Sequence, residues 1–115
     1  MTPDSIIQTL SNVRFSFEDE KALQVAIARR LTMAGIPFIR EFRLDKNNIF
    51  DFYWEGLVVE VKIKGGAKKI YSQCKRYCQF KQVTGLVLIT NRSMGFPEEI
   101  AGKPCYVINL GKAWL

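Results

Sequence analysis

The chain has 115 residues, of which 48% are hydrophobic, and a formal net charge of +6 from 17 Lys and Arg against 11 Asp and Glu. That length builds one domain, residues 1–115, around one core, and that apolar content excludes a disordered tail. No apolar run approaches the ~20 residues that cross a bilayer, so no membrane role is expected.

The opening MTPDSIIQTL has neither the basic start nor the long apolar run of a signal peptide, which points to a cytoplasmic protein. Residues 2–11 read as a short helical turn or an arm. SFEDEKALQVAIARRLTMAG follows, with Leu23, Ile27, Leu31 and Ala34 at helical spacing and Gly35 as the stop. Ser16 with Asp19 three residues on resembles a capping box, with Asp in place of the usual Glu. Glu20 falls on the apolar stripe of this helix. It either faces a partner or a site, or simply favours the positive end of the helix dipole.

IPFIREFRL, residues 36–44, reads as a strand and DKNN as a turn. IFDFYWEGLVVEVKIK, residues 49–64, supplies two more strands around Glu55-Gly56. Gly65-Gly66 breaks the pattern, and AKKIYSQCKRYCQF, residues 67–80, reads as a helix. GLVLIT, residues 85–90, is a short buried strand. Residues 97–101 read as a helical turn and 105–110 as a last strand. The order is helix, three strands, helix, strand and a short tail. The strand–helix–strand passage implies a parallel pair, and so an α/β sheet with helices packed on it.

Cys74, Cys78 and Cys105 come with no histidine, which argues against zinc and leaves one thiolate too few for an iron–sulfur cluster. They read as small buried hydrophobes. From Lys62 to Lys81 there are seven basic residues and no acid. Such a block favours a polyanion, nucleic acid before a membrane surface, unless it is only a solvated face.

The hairpin at Glu55-Gly56 sets Trp54 against Leu57, Tyr53 against Val58, Phe52 against Val59 and Asp51 against Glu60. Directly opposed residues share a face. One face then carries Phe50, Phe52, Trp54, Leu57, Val59, Val61 and Ile63 and should be buried. The other carries Asp51, Tyr53, Val58, Glu60, Lys62 and Lys64. Opposed carboxylates ~5 Å apart repel by roughly 3 kcal/mol at an effective dielectric of ~20. A shared proton, the neighbouring Lys62 or a divalent cation would relieve this, and Mg²⁺ commonly takes one or two carboxylates plus waters and phosphate oxygens. The alternative is a surface Asp51 beside a Glu60–Lys62 ion pair.

Asp51, eight intervening residues and then Glu60-Val61-Lys62 resembles the signature of the PD-(D/E)xK nuclease superfamily. The likeness runs from about Glu20 to Thr90, on a matching element order. Gln73-Cys-Lys-Arg-Tyr77 on the next helix resembles the Q-x-x-x-Y motif of RecB-like members. Gln73 and Tyr77 share a helix face, where they would otherwise simply cover the core edge. A similar basic helix follows the core motif in phage-type and resolvase-type relatives. Phe50 stands where the superfamily name has Pro, and no histidine ligand is present. Glu20 would take that ligand's place, as the first-helix acid does in Holliday-junction-resolvase-like members.

The resemblance implies a restriction-endonuclease-like core, α-β-β-β-α-β, with a mixed sheet. It implies a Mg²⁺- or Mn²⁺-dependent deoxyribonuclease of a bacterial or phage-infected cytoplasm, acting in DNA repair, recombination or phage DNA processing. Asp51, Glu60 and the Val61 carbonyl would hold metal, with Glu20 joining through water. Lys62 would orient or activate the attacking water, and Gln73 and Tyr77 would position Lys62 or the DNA. Lys64, Lys68, Lys69, Lys75 and Arg76 would meet backbone phosphates. Tyr53, beside Asp51, is the candidate for stacking on bases, whereas Tyr71 is assigned to core packing. So small a domain leaves little chain for reading sequence, so a structure-selective or non-specific nuclease is expected, and a C2 homodimer would add footprint. The rival readings are a non-catalytic nucleic-acid-binding module and a regulatory protein on the same fold.

Overall fold

A computed structural model describes residues 1–11, 13–16 and 18–111. The described elements are α1 (Pro3–Leu10), α2 (Glu20–Met33), β1 (Ile39–Asp45), β2 (Asn48–Trp54), β3 (Leu57–Lys62), α3 (Ala67–Tyr77), β4 (Gly85–Thr90), β5 (Glu99–Ile100) and β6 (Lys103–Asn109). The strands form one mixed sheet in the order β1-β2-β3-β4-β6-β5. β1, β2 and β3 are antiparallel neighbours, β3, β4 and β6 run parallel, and β5 pairs antiparallel with β6. The chain is therefore an α/β protein with a mixed six-stranded sheet and, among the described residues, three helices. Its radius of gyration, 13.1 Å, matches the ~13 Å of a compact domain this long.

Hydrophobic residues pack into two clusters, one on each side of the sheet. Ile6 and Leu10 of α1 and Leu23, Ile27 and Leu31 of α2 meet Phe52, Val59, Val61, Val87 and Ile89. Ile70, Cys74 and Tyr77 of α3 meet Phe50, Val58, Leu86 and Leu88. β4 is buried at every position because its alternate side chains enter both clusters. All three cysteines are buried, and Tyr71 packs its ring against Phe96 with centroids 6.0 Å apart.

Several elements differ from the sequence expectation. α2 starts at Glu20, and its N-cap is Asp19, whose carboxylate accepts the Lys21 N–H at 3.0 Å, so Ser16 is not the cap. Phe17, inside the expected first turn, lies outside the described residues. At the other end Gly35, at φ +72°, closes a Schellman motif in which Ile36 N–H donates to the Leu31 carbonyl and Gly35 N–H to that of Thr32. α3 stops at Tyr77 rather than Phe80. The expected helical turn at 97–101 contains instead the short strand β5, pairing Glu99 with Pro104.

The largest correction concerns the faces of the hairpin. Phe50 was expected beside Phe52, yet it packs under α3 while Phe52 packs under α2. The cause lies one strand away. Glu41 in β1 has φ +50°, and the β1–β2 ladder pairs Arg40 with Phe52 and Phe42 with Phe50, passing over Glu41 and Asp51. Across that row both strands change phase. Phe38 belongs to the α2 side, and Phe42, Leu44 and Phe50 to the α3 side. A one-residue change of phase moves every later side chain to the other face. The face expected to be polar is thus covered too: Val58 and Glu60 lie buried below α3, and Trp54 at the strand end is only half-buried.

Of the two-residue turn and the four-residue loop that the sequence allows at Glu55-Gly56, both giving one register, the chain forms the two-residue turn. Glu55 at φ +45° and Gly56 at φ +96° give the two left-handed residues of a type I′ turn. A Cβ on Gly56 would lie 2.4 Å from Thr84 Oγ1, and the Gly56 carbonyl accepts the Thr84 N–H at 2.8 Å. Gly56→Ala is expected to destabilise the fold by about 1–3 kcal/mol through both clash and backbone strain. Chemical denaturation measures this; an unchanged midpoint would contradict the turn geometry.

Candidate active site

The β2–β3 ladder runs through Trp54↔Leu57, Tyr53↔Val58 and Phe52↔Val59 and stops there. The register is the one read from the hairpin, and Asp51 and Glu60 come next in line. Their side chains occupy the place of the missing backbone bonds. The Asp51 N–H donates to Glu60 Oε1 at 2.9 Å, and the Val61 N–H donates to Asp51 Oδ2 at 2.8 Å. One step on, the Ile63 N–H donates to Glu20 Oε1 at 2.9 Å. Three carboxylates from α2, β2 and β3 therefore take amides along the line where the hairpin opens.

Each of the central carboxylates keeps one oxygen clear of these amides. Lys62 Nζ lies 3.7 Å from Glu60 Oε2. In a strand the N–H and C=O of one residue point to the same edge, so the Val61 carbonyl also faces the opening. Burial is the first cause that raises the Asp51 carboxyl above its usual range. Burial, then the Asp51 charge, pushes the Glu60 carboxyl up to about 8. Both acids therefore bind a proton more tightly than free carboxyls do, which is one way two close acids relieve their repulsion.

This donor set fits a hard divalent cation: two carboxylates that each keep an oxygen clear of the backbone amides, a carbonyl on the same edge, and raised proton affinities that a cation would counter. Among the described residues no group of three or more His, Cys, Asp or Glu side chains gathers to hold a metal by itself. Glu20 has one oxygen on the Ile63 N–H and lines the cleft beside the pair.

The opening is bordered by a cleft of about 280 Å³ lined by Glu20, Lys62, Lys64, Gly65, Lys69 and Gln73, among others. A second cleft of about 330 Å³ adjoins it, sharing Lys62, Lys69 and Gln73 and adding Arg76. The first turns of α2 and α3 both reach the first cleft, and α3 begins at Gly66 with no side chain capping it. Uncapped helix N–H groups and lysine ammonium groups together favour an anion.

Gln73 and Tyr77 form one unit. Gln73 Nε2 donates to the Tyr77 hydroxyl at 2.9 Å, and that hydroxyl donates to the Ile49 carbonyl at 3.1 Å. Tyr77 is buried, packs edge-on against Phe50 at 4.7 Å, and is pushed up to about 12 by burial and by the Glu60 charge. It fixes Gln73 beside Lys62 and has no surface to offer a strand of DNA. Tyr53 is also engaged: its ring stacks on Phe42 at 4.4 Å and its hydroxyl donates to the Gln82 carbonyl at 2.7 Å. One ring face and the hydroxyl are therefore unavailable for base stacking.

Lys64, Lys68, Lys69, Lys75 and Arg76 are all exposed, as expected of phosphate contacts. Arg76 is partly tied, since its Nε donates to Asn48 Oδ1 at 2.9 Å. Asn48 was read only as part of a turn; buried, it receives Arg76 and donates in turn to Asp45 Oδ1 at 2.9 Å. Nothing in a DKNN turn signals that role. Lys21, whose charge acts on Asp51, was also missed.

No family model matches this chain, and no curated protein or solved structure matches it significantly. No helix among the described residues is long and apolar enough to cross a membrane.

Proposed function

We propose that the chain is a divalent-metal-dependent deoxyribonuclease of the PD-(D/E)xK type on a restriction-endonuclease-like core, hydrolysing phosphodiester bonds in DNA without strict sequence selection. The observation that carries this reading is the convergence of Asp51 and Glu60 where the hairpin opens, with Lys62 Nζ 3.7 Å from Glu60. Asp51, Glu60 and the Val61 carbonyl would hold Mg²⁺ or Mn²⁺. When bound, such an ion supplies charge stabilisation at the phosphate and a water of lowered pKa.

The chain's own residues do the rest. Glu60 would have to be ionised to serve as a ligand, and its raised proton affinity would make metal affinity increase with pH. Asp51 is oriented by the Val61 N–H. Lys62, half-exposed at the cleft and flanked by Glu60 and Gln73, orients the attacking water against the phosphate. Lys64, Lys69 and the first turn of α3 seat the adjoining phosphate. Lys68, Lys75 and Arg76 extend the basic face along the helix. DNA processing in a bacterial or phage-infected cell, and a homodimer that would widen the footprint, belong to the same reading.

A second reading has an observation of its own. The Asp51–Glu60 clasp satisfies two backbone amides without any metal, as a structural element would. On that reading the chain is a nucleic-acid-binding module. Supercoiled, linear and single-stranded DNA incubated with Mg²⁺, Mn²⁺ or EDTA separates the two. Hydrolysis is expected with either metal, none with EDTA, and none for Asp51→Asn. Binding without hydrolysis under every metal condition would establish the module, and hydrolysis that survives Asp51→Asn would sink the site.

A further inference from the structure

The basic row of α3 lies on one side of the sheet. A second pair of cations lies on the other, around the first turn of α2. Lys21 follows Glu20 directly, at the positive end of the helix dipole, where a cation is disfavoured. Its side chain is 71% exposed, its ammonium bonds Glu41 Oε1 at 3.2 Å, and its charge acts on Asp51. Glu41 is the residue at φ +50° whose row is passed over by the β1–β2 ladder beside Asp51. A non-glycine residue in that conformation is held there at a cost, and here its carboxylate ends on a lysine next to the candidate site.

Arg40 stands beside them. Its guanidinium lies 5.7 Å over the Phe52 ring, donates through one terminal nitrogen to Gln24 Oε1 at 3.2 Å, and comes within 4.0 Å of Glu41. Its Nε is buried without a partner. Two cations on the α2 side thus share one acid, Glu41, which is 55% exposed. Such an exposed pairing is worth little in water and is readily exchanged for a phosphate.

We propose that Lys21, with Arg40 beside it, is a second phosphate-contact flank of this site, opposite the α3 row across the Asp51–Glu60 pair, and that Glu41 holds Lys21 until a polyanion displaces it. The strand of nucleic acid then crosses the carboxylates from one side of the sheet to the other instead of lying along α3 alone. This rests on the nucleic-acid reading of the site given above, and adds to it where the substrate runs.

The test is equilibrium binding of a fluorescein-labelled 20-nucleotide single strand, followed by anisotropy in EDTA between 50 and 200 mM KCl. Lys21→Gln is expected to weaken binding about 3- to 10-fold and to reduce the slope of log affinity against log salt by about 0.7, as loss of one phosphate contact should. Lys69→Gln, on the α3 flank, should do the same, and the double variant should add the two. Lys21→Arg should retain wild-type binding. Glu41→Gln should tighten binding about threefold, because Lys21 no longer has to leave a partner. Thermal melts by circular dichroism check that each variant folds. A Lys21→Gln protein with wild-type slope and affinity would overturn the proposal, as would a wild-type chain that fails to bind. Because nothing is cleaved in EDTA, the nuclease reading fails separately: a chain that binds in this way yet cleaves nothing with Mg²⁺ or Mn²⁺ keeps the second flank and loses the chemistry.

Discussion

Glu60→Gln is expected to raise the melting temperature of the metal-free protein at pH 8 while removing most of the stabilisation that Mn²⁺ gives the wild type. The sign follows from the direction of the shift. Burial and Asp51 move the Glu60 carboxyl from its ordinary 4.5 to about 8 in the folded chain. Below about 4.5 it is protonated in both states, and its contribution is fully present. Between about 4.5 and 8 the unfolded chain releases the proton and the folded chain keeps it, so stability falls as pH rises. The loss across that window is on the order of 5 kcal/mol, or on the order of 20 °C in melting temperature for a domain this size.

Gln keeps the oxygen that accepts the Asp51 N–H and carries no charge, so this part of the slope disappears. The Asp51 carboxyl, also raised by burial, leaves a residual slope of the same sign. Mn²⁺ works the other way on the wild type, since it binds the ionised pair in the folded state alone and stabilises it by mass action. Melting curves of both proteins between pH 5 and 8.5, with and without millimolar Mn²⁺, measure all of this. Parallel wild-type and variant curves across that range would remove Glu60 from the site.

Lys62→Ala is expected to lower the single-turnover rate of DNA hydrolysis by roughly 10²- to 10⁴-fold, the range of a positioned proton-transfer group, while DNA affinity changes only a few-fold. The two readouts part because Lys62 is one of several cations around the clefts, yet the one 3.7 Å from Glu60. Lys62→Arg should restore affinity and little of the rate, since a planar guanidinium does not fit a point-charge site. Rates on a preformed complex, started with Mg²⁺, make the comparison. A wild-type rate in Lys62→Ala would dismiss the assigned role.

Much of the site was legible because two short-range rules act together there. A two-residue turn at Glu55-Gly56 sets one register, and that register brings Asp51 level with Glu60 whatever the rest of the chain does. Helical spacing places Gln73 and Tyr77 on one face, and the hydrogen bond between them follows. The basic residues of α3 were legible as charge, and their exposure agrees with it.

The remainder depended on partners distant in the chain. Alternation alone put Phe50 beside Phe52, but the left-handed Glu41 in the neighbouring strand shifts the phase of both strands and sends Phe50 to the opposite core. Tyr53 read as available for stacking because it shares a hairpin face with Asp51, Glu60 and Lys62, whereas Phe42 and Gln82, near and far in the chain, take its ring and hydroxyl. Glu60 read as a charge on an open face. It is a buried acid whose proton affinity is set by α3 packing above it and by Asp51 beside it.

By itself, then, the sequence determined the order of the elements from α2 to β4, the hairpin register and the identity of the clustered acids and lysines, all of which follow from contacts a few residues apart. Tertiary structure alone decided which face each side chain of β1 and β2 occupies, that Glu60 is buried beside a half-buried Asp51, and that burial raises the proton affinity of both. Those properties depend on what packs against the hairpin and how much water that packing removes, and neither is encoded in local spacing.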